Sequence, residues 1–195
     1  MSEQILEQLF DSPLKVKLLK LFLRNPQENF SFQEIIKRVK SDTRSSKRQI
    51  EKLKNINFLN YKHRAGKKVY SVNPRFVFYN ELRTLIFKSS PASKEKILKR
   101  LKNLGRVKLA LISGVFINLE NARVDLLVVG DSLKKNKLTN FLKDLEAEVG
   151  KEIDYVVLTT EDFKYRYDMF DRFLRDVLEK PHEKLINKLS KLKIN

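Results

Sequence analysis

The sequence predicts an α+β fold in two parts, and three observations carry the prediction. Over residues 31–73 a capped helix, a second, basic helix and a short basic hairpin follow one another without a break. Beyond residue 90 the pattern changes to continuous apolar runs, VKLALISG, VDLLVVGD and EIDYVVL, interrupted by a helical stretch. Such runs belong to a small mixed α/β sheet covered on both faces. Between the two patterns lies Ser89-Ser90-Pro91, which sets the expected domains at 1–90 and 91–195. A chain of 195 residues is long enough for each part to hold its own core.

The elements read as follows. Residues 3–10 form a short amphipathic helix with Ile5, Leu6 and Leu9 on one side. A second begins near Ser12 with Pro13 in its first turn, buries Leu14, Leu18, Leu19 and Phe22, and ends at Arg24-Asn25-Pro26. Ser31 opens the third, and Glu34 three residues later completes a capping box, with Ile35, Ile36 and Val39 inward. After Ser41-Asp42-Thr43 comes a fourth helix with Ile50 and Leu53 on its core side. Strands at Phe58–His63 and Lys68–Val72 flank Arg64-Ala65-Gly66-Lys67, where Gly66 supplies the positive φ of a tight hairpin. Residues 76–88 return to helix, with Phe78, Leu82, Leu85 and Ile86 at helical spacing. In the second part a helix at about 93–103 precedes strands at 107–114 and 124–131. A helix at about 134–148, a strand at 152–158 and two C-terminal helices at about 160–179 and 182–192 complete it, with Pro181 between the last two and a Lys-rich tail.

Composition narrows the function classes. Lys and Arg number 41 against 24 Asp and Glu, a net charge of +17, which favours a polyanionic partner. Residues 1–90 hold 19 cations and 8 acids, net +11, so the excess is concentrated where the basic helix and hairpin lie. There is no cysteine, hence no disulfide and no thiolate metal site, and His63 and His182 form no ligand motif. No apolar run reaches the roughly 18 residues of a membrane span, and MSEQILEQLF lacks a basic flank and a cleavage site. A cytoplasmic protein without membrane partner, metal or cofactor is expected.

A helix that reads DNA carries cations and short polar side chains on its exposed face and apolar anchors on the other. Arg44, Ser45, Ser46, Lys47, Arg48 and Lys52 against Ile50 and Leu53 meet that requirement. Those nearest the helix start are placed to reach base edges, while Lys62, His63, Arg64, Lys67 and Lys68 put the hairpin tip over phosphates or into the minor groove. Helix, helix and basic hairpin in this order spell a winged helix-turn-helix. Over about residues 10–75 this part resembles the ArsR-type transcriptional regulators, through the capped helix, the segment SSKRQIEKLKNINFL at the recognition helix and the hairpin ending in VYSVNP. The resemblance implies binding of double-stranded DNA as a dimer joined by helices outside the recognition motif. Candidates here are the N-terminal helix and residues 76–87, whose apolar side chains serve equally well to cover their own core. Metal sensing, a property of some members, lacks its ligands in this chain.

The segment ALISGVFINLENARVDLLVVGD, followed by EIDYVVL and TTEDF, resembles a minimal nucleotidyltransferase domain over about residues 95–180. That family implies a Gly-Ser turn after the first strand, an Asp-x-Asp pair on the next and a third Asp later, three carboxylates that hold two Mg²⁺ ions for phosphoryl transfer. Gly114 matches the glycine, but Val115 stands in place of the serine. Asp125 matches the second acid of the pair and Asp154 the third, but Arg123 occupies the first. An arginine there lowers the site from about −3 to about −1, too little to gather two hard dications. The sequence therefore predicts a vestigial site and no enzyme, with Arg123 pairing to Asp125 or Asp154, or binding an anion without turnover. Asp131 is expected to cap the turn after its strand.

These observations favour a transcriptional regulator in which the degenerate C-terminal domain serves dimerisation, docking or ligand sensing. The alternatives are a nucleotidyltransferase acting with an incomplete acid set and a non-catalytic, antitoxin-like interaction protein.

Overall fold

Capping residues set where the first elements begin. The computed structural model describes residues 2–89 and 92–189. By proximity the chain divides into two units, residues 1–91 with 146–152, and residues 92–145 with 153–195. Ser90 and Pro91 of the expected boundary, and the tail from residue 190 onward, lie outside the described residues.

In the first unit, α1 (Ser2–Leu9) leads into α2 (Pro13–Arg24), whose N-cap Ser12 accepts a hydrogen bond from the Lys15 amide. The two-residue strand β1 (Phe30–Ser31) runs directly into α3 (Phe32–Val39), where Ser31 and Glu34 form the expected capping box. Each satisfies an amide that the first turn leaves unpaired. Helix α4 (Thr43–Asn55) starts on Asp42, which accepts from the Ser45 amide at 2.8 Å. Strands β2 (Leu59–Arg64) and β3 (Lys67–Val72) form the hairpin, and α5 (Tyr79–Lys88) closes the unit. The sheet order is β1-β3-β2, antiparallel throughout, with Phe30 opposite Tyr70. Its core joins Leu18, Leu19, Phe22, Phe30, Ile35, Ile50, Phe58 and Ile86, among others. Phe22 and Phe30 meet edge to face at 5.8 Å, as do Phe58 and Phe76 at 5.5 Å.

Two details depart from expectation here. Strand β1 is too short to leave a periodic signal, and it exists because Phe30 and Ser31 pair with the free side of β3. Helix α5 begins three residues later than expected, since Phe76 is held against Phe58 in a turn that donates to Asn73 O. Of the expected stripe only Ile86 is fully buried, while Phe78 and Leu85 are exposed.

In the second unit, α6 (Lys94–Lys102) precedes β4 (Arg106–Ile112), a 3-10 turn (Gly114–Phe116) and β5 (Leu126–Asp131). Next come α7 (Lys135–Val149), whose residues from 146 on are counted with the first unit, β6 (Tyr155–Leu158), α8 (Thr160–Asp168), α9 (Arg172–Glu179) and β7 (Glu183–Asn187). The sheet order is β6-β5-β4-β7, with only β5 and β6 parallel. Both faces of β4 and β5 are buried, one of them against Phe163 of α8 and Leu174 and Val177 of α9.

Three corrections follow from this unit. The stretch expected as a helix at 182–192 holds strand β7 at Glu183–Asn187 instead, because the edge of β4 offers backbone partners and Ile186 is buried by taking them. The helix expected over 160–179 breaks at Met169-Phe170, with Phe170 at φ 52, and Asp171 caps a new helix by accepting from the Leu174 amide. No Gly or Pro marks that break, and the capping aspartate was its only trace. Asp131 caps no turn of its own strand. Its carboxylate accepts from the amide and hydroxyl of Thr160 at 3.1 and 2.8 Å, at the start of α8.

Ile50 is 1% exposed, and Ile50→Ala is expected to destabilise the first unit by about 2–5 kcal/mol, read from urea unfolding. Hydrogen bonds from Thr160, the hydroxyl's foremost, hold the Asp131 carboxyl below its ordinary 3.8. A carboxylate so depressed adds stability that is complete above its unfolded value and is lost as pH falls through the native one. Thr160→Val should therefore lower the urea midpoint at pH 7, and its difference from the unmodified chain should close as pH falls below about 4.

Candidate functional site

The exposed side of α4 is fixed by what its other side buries. Ser46, Ile50 and Leu53, at i, i+4 and i+7, face the core, leaving Arg44, Ser45, Lys47, Arg48 and Lys52 in solvent. Ser46 corrects the expected reading face: it is fully buried, and its hydroxyl has no hydrogen-bond partner. Its spacing from Ile50 could have placed it, since residues four apart share a helix face. A serine there is small enough for α4 to pack closely. Asp42 is held below the usual carboxylate range, chiefly by the Ser45 amide, so the helix start carries a charged cap beside Arg44.

The hairpin projects a basic ribbon. Ala65 and Gly66, with φ 48 and 72, make its two-residue turn, a conformation whose twist matches that of the flanking strands. Directly opposite residues share a face, so Arg64 and Lys67 lie on one face with Lys62, while His63 and Lys68 lie on the other with Tyr61. The four cations and the histidine expected at the hairpin are thus divided between two faces. After Leu59 every residue of β2 is exposed. Tyr61 is 52% exposed, with the Lys68 ammonium 4.0 Å from its ring centroid and that of Lys54 at 5.8 Å. Lys54 in turn forms an ion pair with Glu51. Sequence reasoning missed this Glu51–Lys54–Tyr61–Lys68 chain; alternation along the strand would have grouped Tyr61 with His63. Arg44, Lys47, Arg48, Lys52, Lys62, Arg64 and Lys67 make no salt bridge among the described residues. An unpaired exposed cation remains available to an anionic partner.

In the second unit the carboxylate of Asp125 is occupied by backbone amides. Asp125 accepts from the Val115 amide through Oδ1 at 2.7 Å and from the Asp154 amide through Oδ2 at 2.9 Å. Its own amide donates to Asp154 O at 2.6 Å, and its carbonyl accepts from the Ser113 amide. Asp154 therefore meets Asp125 through its backbone. Gly114, at φ 50, allows this closure, because a Cβ there would collide with Asp125 Oδ1. Arg123 pairs with neither expected acid. Its Nε donates to Asp176 of α9 at 3.1 Å, across a gap that the sequence leaves unspecified. The space bordered by Ser113, Arg123, Val124 and Asp176 is about 10 Å³, enough for one water at most.

Among the described residues no group of three His, Cys, Asp or Glu is placed to hold a metal ion, and no helix is long and apolar enough to cross a membrane. A cavity of about 660 Å³ lies between α8 and α9, lined by Tyr167, Phe170, Leu174, Arg175 and Leu178. No protein-family model, no curated protein and no solved structure matches this chain.

Asp125→Ala would leave two amides without their acceptor, at about 1–3 kcal/mol each when shielded from water. It should lower the thermal midpoint of the second unit, and Asp125→Asn, which keeps one acceptor, should lower it less.

Proposed function

We propose that this protein is a DNA-binding transcriptional regulator whose first unit acts as a winged helix-turn-helix on double-stranded DNA. The observation that carries the reading is the exposed side of α4. Arg44, Lys47 and Arg48 occupy its first turns, unpaired, above a side anchored by Ile50 and Leu53. A helix so arranged enters a major groove with its N-terminal side chains toward base edges. The Lys62, Arg64 and Lys67 face of the hairpin then supplies phosphate contacts, and the net charge of +17 supplies attraction at longer range.

Under this reading the second unit, with its nucleotidyltransferase-like sequence, is non-catalytic and serves dimerisation, docking or ligand sensing. Supporting that assignment, both oxygens of Asp125 accept backbone amides and Arg123 is committed to Asp176. A homodimer would use α1 and residues 76–87, where Ile5, Leu9, Val77 and Phe78 are exposed apolar side chains.

Binding to genomic fragments that include the protein's own promoter, measured against salt, tests the proposal. The expected result is one fragment retained in excess competitor DNA, with a two-fold symmetric footprint if the protein acts as a dimer. Weak binding to all fragments alike, falling steeply with salt, would reduce the basic face to a general polyanion clamp. Arg48→Glu should weaken binding to the retained fragment by well over tenfold, whereas Asp125→Ala should leave that affinity unchanged.

A further inference from the structure

One residue on the exposed side of α4 has the wrong charge for a polyanion-binding surface. Arg44, Lys47, Arg48 and Glu51 follow at i, i+3, i+4 and i+7, a single strip along the helix. Glu51 is the one acid in that strip, and its side chain is 41% exposed. Close to phosphates a carboxylate is repelled, so its presence weakens binding to DNA in general. As a helix-stabilising pair with Lys54 it would contribute little, because solvent screens an exposed pair one turn apart.

The major groove offers a carboxylate few partners. It accepts hydrogen bonds and donates none, and the base edges there donate only through cytosine N4 and adenine N6. Adenine places the N7 acceptor beside N6, which repels the second carboxylate oxygen, whereas cytosine has no acceptor of its own beside N4. We propose, on the basis of the duplex-binding reading above, that Glu51 is a specificity-determining residue that selects a cytosine within the bound DNA sequence.

The surroundings hold Glu51 ready for this. The ammonium of Lys54 pairs with it, and the same ammonium lies 5.8 Å from the Tyr61 ring, over which Lys68 also sits. Lys68 is in addition 5.5 Å from Tyr70, so the hairpin face fixes where these two cations stand. The hydrogen bond from Lys54, with the fields of Lys54, Lys68 and Lys47, keeps the carboxyl below its ordinary range and so ionised. Two cations beside it also lessen its repulsion from the phosphates it must pass. The cost in general affinity is thus turned into discrimination, since a base edge that lacks an amino group offers the carboxylate no donor.

Selection of bound duplexes from a randomised library tests the assignment, followed by titration of the selected site and its single-base variants. The full chain, Glu51→Ala and Glu51→Gln are compared. The unmodified protein should prefer a C·G pair at one position by about tenfold. Glu51→Ala should bind all four pairs at that position within about twofold of one another, keep its other preferences, and bind unrelated duplexes more tightly. Glu51→Gln, which preserves shape and can both donate and accept, should move the preference at that position to A·T. If both variants bind every site more tightly while the base preferences stand unchanged, Glu51 is only a repelling charge; the assignment then fails and the duplex-binding reading survives. If the unmodified protein selects no duplex, that reading fails and takes the assignment with it.

Discussion

The burial of one side of α4 governs the first unit. Ile50 and Leu53 enter a core that already holds Leu18, Phe22, Ile35 and Phe58, so the helix has only one rotation about its axis that keeps apolar area from water. That rotation turns Arg44, Lys47, Arg48 and Glu51 outward together. The caps contribute the other coordinate. Asp42 fixes where the helix starts, and the capping box of Ser31 and Glu34 fixes the helix before it. Side-chain chemistry on the outer face is then free to vary without disturbing the fold, the condition under which a binding surface can specialise.

In the second unit a carboxylate serves the architecture. Asp125 joins the turn after β4 to the beginnings of β5 and β6 by accepting two amides, and its own backbone completes the set. Gly114 is required for that arrangement, because any side chain there would strike the carboxylate. The guanidinium of Arg123 extends the arrangement to α9 through Asp176. Gly114, Asp125 and Asp154 thus lie together in the structure, and the contacts among them are those of a folded joint.

Charge is distributed by the same logic. On the face of the hairpin that carries Tyr61 the cations are ordered by an aromatic ring and an acid, while on the opposite face Lys62, Arg64 and Lys67 stand without salt bridges. Both arise from strict alternation along β2 and β3, which sorts neighbouring residues to opposite faces.

By itself, the sequence determined the elements whose signals are local. Ser12 with Pro13, Ser31 with Glu34, Ala65-Gly66 and the apolar runs of β4, β5 and β6 each carry their geometry in a few adjacent residues, and the structure places those elements there. The basic character of α4 and of the hairpin was equally legible, since net charge needs no partner to be counted. Only the tertiary structure decided what depends on a distant neighbour. Strands β1 and β7 exist because β3 and β4 had free edges, and residues 183–187 exchanged a helical pattern for backbone pairing. Arg123 found Asp176, and Asp131 found Thr160. Each of these outcomes is settled by a contact across tens of residues, and no local periodicity or propensity encodes which partner will be within reach.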